Sequence, residues 1–169
     1  MLHSLIVFAF LVAASIGSTQ ASPFYEWHQQ QAKDYAKSLR ESASKTSKGS
    51  GKEATLARVK DAKAQKKWPV AIAELEMLTG QNPDDMILWL DLALTAYRGA
   101  IEGQQGYYEA ANKAEKAAAY VYFMSQDKTQ RALAIIVYAA ISKNAETEEK
   151  CLVELSTLID IKTLRKDFP

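Results

Sequence analysis

The sequence predicts an all-α fold of helix pairs joined by short turns, with one extra helix in front. Three observations carry this. Of 169 residues, 48% are hydrophobic and 24% charged, enough apolar material for one ordinary globular domain. Gly 7 and Pro 4 leave little room for the many tight turns of an all-β sandwich. From Glu53 onward, apolar residues recur at helical spacing almost without a break. The same composition excludes several chemistries. A net charge of +1 argues against a dedicated nucleic-acid binder. One Cys excludes an internal disulfide framework and a four-Cys zinc site, and two His make a His-based metal centre improbable. No cofactor is expected.

The opening segment reads as a leader. Leu5 to Ala14 is an unbroken apolar run, too short to span a bilayer, which takes roughly 20 residues. Thr19 and Ala21 supply the small residues that precede a cut, so cleavage after Ala21 is expected, and residues 1–21 form a signal peptide. The front end lacks Lys and Arg, a departure from the usual pattern, so an uncleaved anchor is the rival reading. Export to the periplasm or beyond would leave 148 residues, which suffice to fold without staples. A membrane contact is expected only if the leader stays.

Residues 22–52 read as an N-terminal helix followed by a Ser/Lys/Gly linker. Ser22-Pro23 is expected to open the helix, with Phe24, Trp27, Tyr35 and Leu39 sharing one stripe. Ser42 to Lys52 is small, polar and Gly-containing, the composition of a flexible connection. It mimics a phosphate loop, but Gly51-Lys52 is followed by Glu53 where Ser or Thr is needed. Thr46 stands at the leading Gly position, and no apolar strand precedes the segment. Charge divides here. Residues 22–67 carry 11 basic and 5 acidic side chains, residues 68–169 carry 10 and 15. Solvated helix faces complementing an acidic body explain this better than a patch for anionic surfaces.

Residues 53–169 form the predicted repeat domain. Leu56, Val59 and Ala62 lie on one helical face. Trp68-Pro69 restarts the chain, and Ala71, Leu75 and Leu78 continue until Gly80, read as a C-terminal cap. Asn82-Pro83-Asp84-Asp85 is a turn ending in capping residues. Ile87 to Tyr97 is apolar almost all round and should be sandwiched between neighbours. Ile101 to Gly106 breaks the pattern, Tyr107 to Met124 resumes it, Asp127 caps a helix to Lys143, and Glu146 or Thr147 starts the last.

These spacings contain a period. Trp68, Ala71, Leu75, Leu78 and Pro83 match the second helix and closing Pro of a tetratricopeptide repeat. Trp89, Leu92 and Ala93 match the start of the next repeat. Tyr107, Ala110, Ala114 and Ala117 follow after a five-residue insertion. A weaker third copy places Ile135, Tyr138 and Ala139 on one helix and Cys151, Leu155 and Leu158 on the next. The chain thus resembles a short tetratricopeptide-like solenoid of about three degenerate repeats. More closely, the leader, the Phe-Tyr opening helix, the stretch from Trp68 to Tyr97 and the stretch from Tyr108 to Phe123 resemble the helical leading region of bacterial alpha-2-macroglobulin-like envelope proteins. The resemblance stops short of their chemistry. The thioester motif needs Glu-Gln two and three residues after Cys, and Cys151 is followed by Leu152, Val153 and Glu154.

No enzyme is expected. His28 is the one His after the leader, and a lone His on an amphipathic helix is usually surface or packing. Cys151 falls where a repeat wants a small buried residue, and Glu148, Glu149 and Glu154 read as a solvated face. The repeat resemblance implies a protein- or peptide-binding groove lined by first-helix side chains. Carried over, these are Ile87, Leu90, Leu94, Tyr97 and Arg98. Leu133, Ile136, Ala140, Lys143 and Asn144 follow from the third copy. An apolar groove rimmed by Arg98 and Lys143 suits a peptide or helix with an acidic end. Two alternatives stay open: the chain's own first helix fills the groove, or the module is a structural spacer or docking remnant.

Overall fold

In the computed structural model the described residues are 22–45, 51–103, 106–142 and 144–159. The expected signal peptide, the core of the Ser/Lys/Gly linker and Lys143 lie outside them. Among the described residues there are seven helices and no strand: α1 (Glu26–Lys45), α2 (Lys52–Ala64), α3 (Trp68–Gln81), α4 (Met86–Glu102), α5 (Tyr107–Met124), α6 (Lys128–Ser142) and α7 (Ala145–Leu158). The protein is all-α.

Several boundaries fall where local chemistry places them. Asp85 caps α4, its Oδ1 accepting from the backbone N–H of Ile87 at 3.2 Å and Leu88 at 3.3 Å. Asp127 caps α6 by accepting from Thr129 at 2.7 Å and Gln130 at 3.0 Å. Pro69 sits in the first turn of α3, where its missing N–H costs nothing. Gly106, at φ 83°, supplies the left-handed residue that starts α5.

Other boundaries correct the sequence reading. α1 begins at Glu26, so Ser22-Pro23 precedes it; the Ser22 hydroxyl accepts from the Phe24 N–H at 3.2 Å. α1 also runs on through Ser42 to Lys45, four residues assigned to the linker, because Ala43 is buried against α3. Gly80 lies inside α3 and does not cap it. A Cβ there would run into the Leu39 carbonyl and come within 2.9 Å of the Ala43 Cβ. The glycine is there for close approach. Trp27 leaves the expected stripe, 50% exposed, and the buried face of α1 is His28, Ala32, Ala36, Leu39 and Ala43. α4 continues through Ile101 to Glu102, and Asn144, expected on the groove, caps α7 instead.

Consecutive helices from α2 to α7 pack on one another across short turns, and α4 also packs on α6. Burial recurs along the chain. Counted from their first residues, α4 and α6 both bury positions seven, eight, ten and eleven: Leu92, Ala93, Thr95 and Ala96 in one, Ala134, Ile135, Val137 and Tyr138 in the other. α3 and α5 likewise share Ile72 with Ala111, Leu75 with Ala114, Leu78 with Ala117, and Gly80 with Ala119.

α1 packs on α3 and α5. At its N-terminal end Phe24 joins an aromatic cluster, its ring 4.3 Å from that of Tyr138 and 4.8 Å from that of Tyr122. His28 follows, 2% exposed, its Nδ1 accepting from the Tyr25 N–H at 2.9 Å. That bond assigns the ring proton to Nε2, which lies 3.0 Å from the Tyr138 hydroxyl and 3.2 Å from Glu115. Tyr35 donates to Glu76 at 2.7 Å, and Leu39 meets Gly80. α1 therefore runs from the α5–α7 end of the molecule to the end of α3, and its buried stripe is spent chiefly on α3 and α5.

Candidate partner-docking face

The side of α4 turned away from α1 is uncovered. Ile87 is 69% exposed, Leu94 40% and Ile101 55%, an apolar row seven residues apart. Leu90 and Tyr97 lie between them, half-buried and packed against the core. Together the five follow the three–four spacing that puts residues on one helical stripe. Of the other positions between Leu88 and Ala100, Leu88, Trp89, Leu92, Ala93, Thr95, Ala96, Gly99 and Ala100 are buried, while Asp91 is half-buried and Arg98 exposed at the edge of the strip. The all-round apolar character of this helix therefore has two causes: most of it is core, and the remainder is an open strip. Ile101, which the repeat register leaves out, belongs to that strip; its spacing from Leu94 was the available signal.

The strip is bordered by charge. α2 and the turn after it are tied to α4 and its cap by ion pairs from Lys52 to Asp85 at 2.9 Å, from Lys63 to Asp91, and from Lys66 to Glu102 at 3.4 Å. Arg98 is exposed and makes no ion pair among the described residues. On the α6 side, Leu133, Ile136 and Ala140 are half-buried. The structure thus gathers Ile87, Leu90, Leu94, Tyr97 and Arg98 on one exposed side of α4, while α1 packs elsewhere. At the α4 N-terminus the strip opens into a cleft of about 500 Å³ between the turns before α4 and before α6. Ile87, Met86 and Met124 form its apolar part, and Asp84 and Asp127 its acidic part.

Asp85 stands at the edge of this cleft. Burial pushes its carboxyl up, but the hydrogen bond from Lys52 and those from the Leu88 and Ile87 N–H groups outweigh it and hold the group below its ordinary range. A carboxyl lowered in the folded state contributes stability above its unfolded value of about 4, lost as pH falls through the folded value. Asp85→Asn keeps a capping side chain without the charge. Its melting midpoint should therefore change less between pH 6 and pH 3 than that of the parent. Asp85→Ala should lose about 0.5–2 kcal/mol at neutral pH by denaturant titration.

The remaining candidates for chemistry are placed by packing. Cys151 is 1% exposed and unpaired, and burial, with Glu148 and Glu154 nearby, pushes its thiol up to about 12. The thiol is thus protonated at neutral pH and shielded. Ellman's reagent should leave it unreacted in the folded protein over hours and titrate one thiol after denaturation. Glu154 is not a free surface carboxylate. It accepts from the Tyr122 hydroxyl at 2.8 Å and pairs with Arg131 at 3.4 Å, joining α7 to α5 and α6. Among the described residues, no group of three or more His, Cys, Asp or Glu side chains is placed to hold a metal ion, and no helix is long and apolar enough to cross a membrane.

No protein-family model matches the chain, and neither a curated protein nor a solved structure matches it.

Proposed function

We propose that this chain is a non-enzymatic, exported protein-interaction module of tetratricopeptide-like type that docks a protein partner along the outer strip of α4. The exposure of Ile87, Leu94 and Ile101 on one stripe, with α1 packed elsewhere, carries this reading. Such a row of large apolar side chains on a soluble surface marks an interaction site. Arg98, unpaired beside it, offers a planar fork to a carboxylate. The recurrence of burial between α4 and α6, and between α3 and α5, supports the repeat architecture. Export rests on the leader pattern of residues 1–21, and the likeness to the leading region of alpha-2-macroglobulin-like proteins rests on the Trp68–Tyr97 and Tyr108–Phe123 stretches. The bait and thioester functions of those proteins are not part of the proposal.

A photo-cross-linking residue placed at Leu94 tests it in cells expressing the chain. A discrete adduct at Leu94, absent when the same residue replaces the exposed Lys37 on α1, is the expected result. Equal labelling from both positions, or none from Leu94, would contradict a docking strip on α4.

A further inference from the structure

The occupant of the strip is legible from the arrangement of its charges. Ile87, Leu90, Leu94, Tyr97 and Ile101 alternate at intervals of three and four over two heptads, the seam of a helix–helix contact. Two charged residues flank the seam on one edge, Asp91 and Arg98, seven residues apart and one position after Leu90 and Tyr97. In a parallel pairing such an edge has no symmetric complement. In an antiparallel pairing it does, because a two-fold axis reverses the order of the charges and sets each against the other's opposite.

We propose that the strip is the contact between two copies of this chain, with the two α4 helices antiparallel about a two-fold axis. This rests on the reading of α4 as a docking face and names its partner. The layers follow from the spacing. Leu90 of one copy faces Ile101 of the other, Leu94 faces Tyr97, and symmetry repeats both, giving four layers. Asp91 of each copy then lies against Arg98 of the other. Both groups are available. Arg98 has no partner among the described residues, and the bonds Asp91 accepts from Lys63 and Thr95 both fall on Oδ1, leaving Oδ2 open. The contact is isologous, so it closes at two copies.

Sedimentation equilibrium of the chain produced from its full-length sequence, over about 1–100 µM, tests the proposal. The expected result is a concentration-dependent rise to twice the monomer mass, abolished by Leu94→Lys. Arg98→Asp and Asp91→Arg should each weaken association several-fold, and the double exchange should recover most of the loss. A second measurement does not depend on the stability of charge variants. A short bismaleimide should join Leu90→Cys to Ile101→Cys in a mixture far more efficiently than it joins Ile101→Cys to itself. A chain that stays monomeric throughout, association that survives Leu94→Lys, or preferential self-joining of Ile101→Cys would each overturn the two-fold pairing. A monomer that still gives a discrete Leu94 adduct of another mass would overturn it while leaving α4 as the docking face of a different partner.

Discussion

Replacing Trp89 by alanine should cost about 3–5 kcal/mol, the range for truncating a buried aromatic. Set against the roughly 5–15 kcal/mol that holds a domain together, this removes a large share of the stability. The structure shows why the residue matters. Trp89 is completely buried, its ring 4.2 Å from that of Tyr120 on α5 and 6.0 Å from that of Tyr35 on α1. Its Nε1 donates to the Pro83 carbonyl at 3.0 Å, fixing the turn that leads into α4. One side chain thus joins α1, α4, α5 and the preceding turn. Circular dichroism should show a much lower melting midpoint or loss of the cooperative transition. A change no larger than that of a surface substitution would mean that α4 is not seated as described.

Gly80→Ala should destabilise the protein even though alanine is the better helix former by about 0.8–1 kcal/mol. Overpacking costs about 1–3 kcal/mol where a neighbour must move, and here the neighbour is the α1 backbone at Leu39, which no rotamer change can displace. The steric term therefore wins over the propensity gain, and Gly80→Val should lose more than Gly80→Ala. Thermal melting gives the sign. Hydrogen exchange gives the location: faster exchange concentrated in Glu26–Lys45 would show α1 lifting from α3. A more stable Gly80→Ala protein would contradict the close packing of these two helices.

Most of the fold was legible in the sequence because local signals and tertiary packing agree. The caps at Asp85 and Asp127, the Pro69 start and the limits of α5 are short-range features. Disagreement arose where a distant partner decides. Ser42 to Lys45 have linker composition, yet Ala43 finds α3. Gly80 has the position of a cap, yet α1 needs it small. Trp27 looks like core by residue type, while the smaller Ala32 and Ala36 are what allow α1 to approach. His28, which residue type alone left as surface or packing, is enclosed by Tyr138 and Glu115 from helices far along the chain. The exposed strip on α4 was half legible. The repeat register selected Ile87, Leu90, Leu94, Tyr97 and Arg98, but which helix faces α1 would cover depends on where its small-residue stripe fits.

The most direct test of an open strip on α4 is the melting midpoint of the triple variant Ile87→Ser, Leu94→Ser, Ile101→Ser at low micromolar concentration. Ile and Ser have similar helix propensities, Leu to Ser costs a few tenths of a kcal/mol, and exposed substitutions usually stay within about 0.5 kcal/mol each. At roughly 2–4 °C per kcal/mol for a chain of this size, the midpoint should stay within a few degrees of the parent. A fall of ten degrees or more would mean that these side chains are core, that another element covers them, and that α4 offers no docking face.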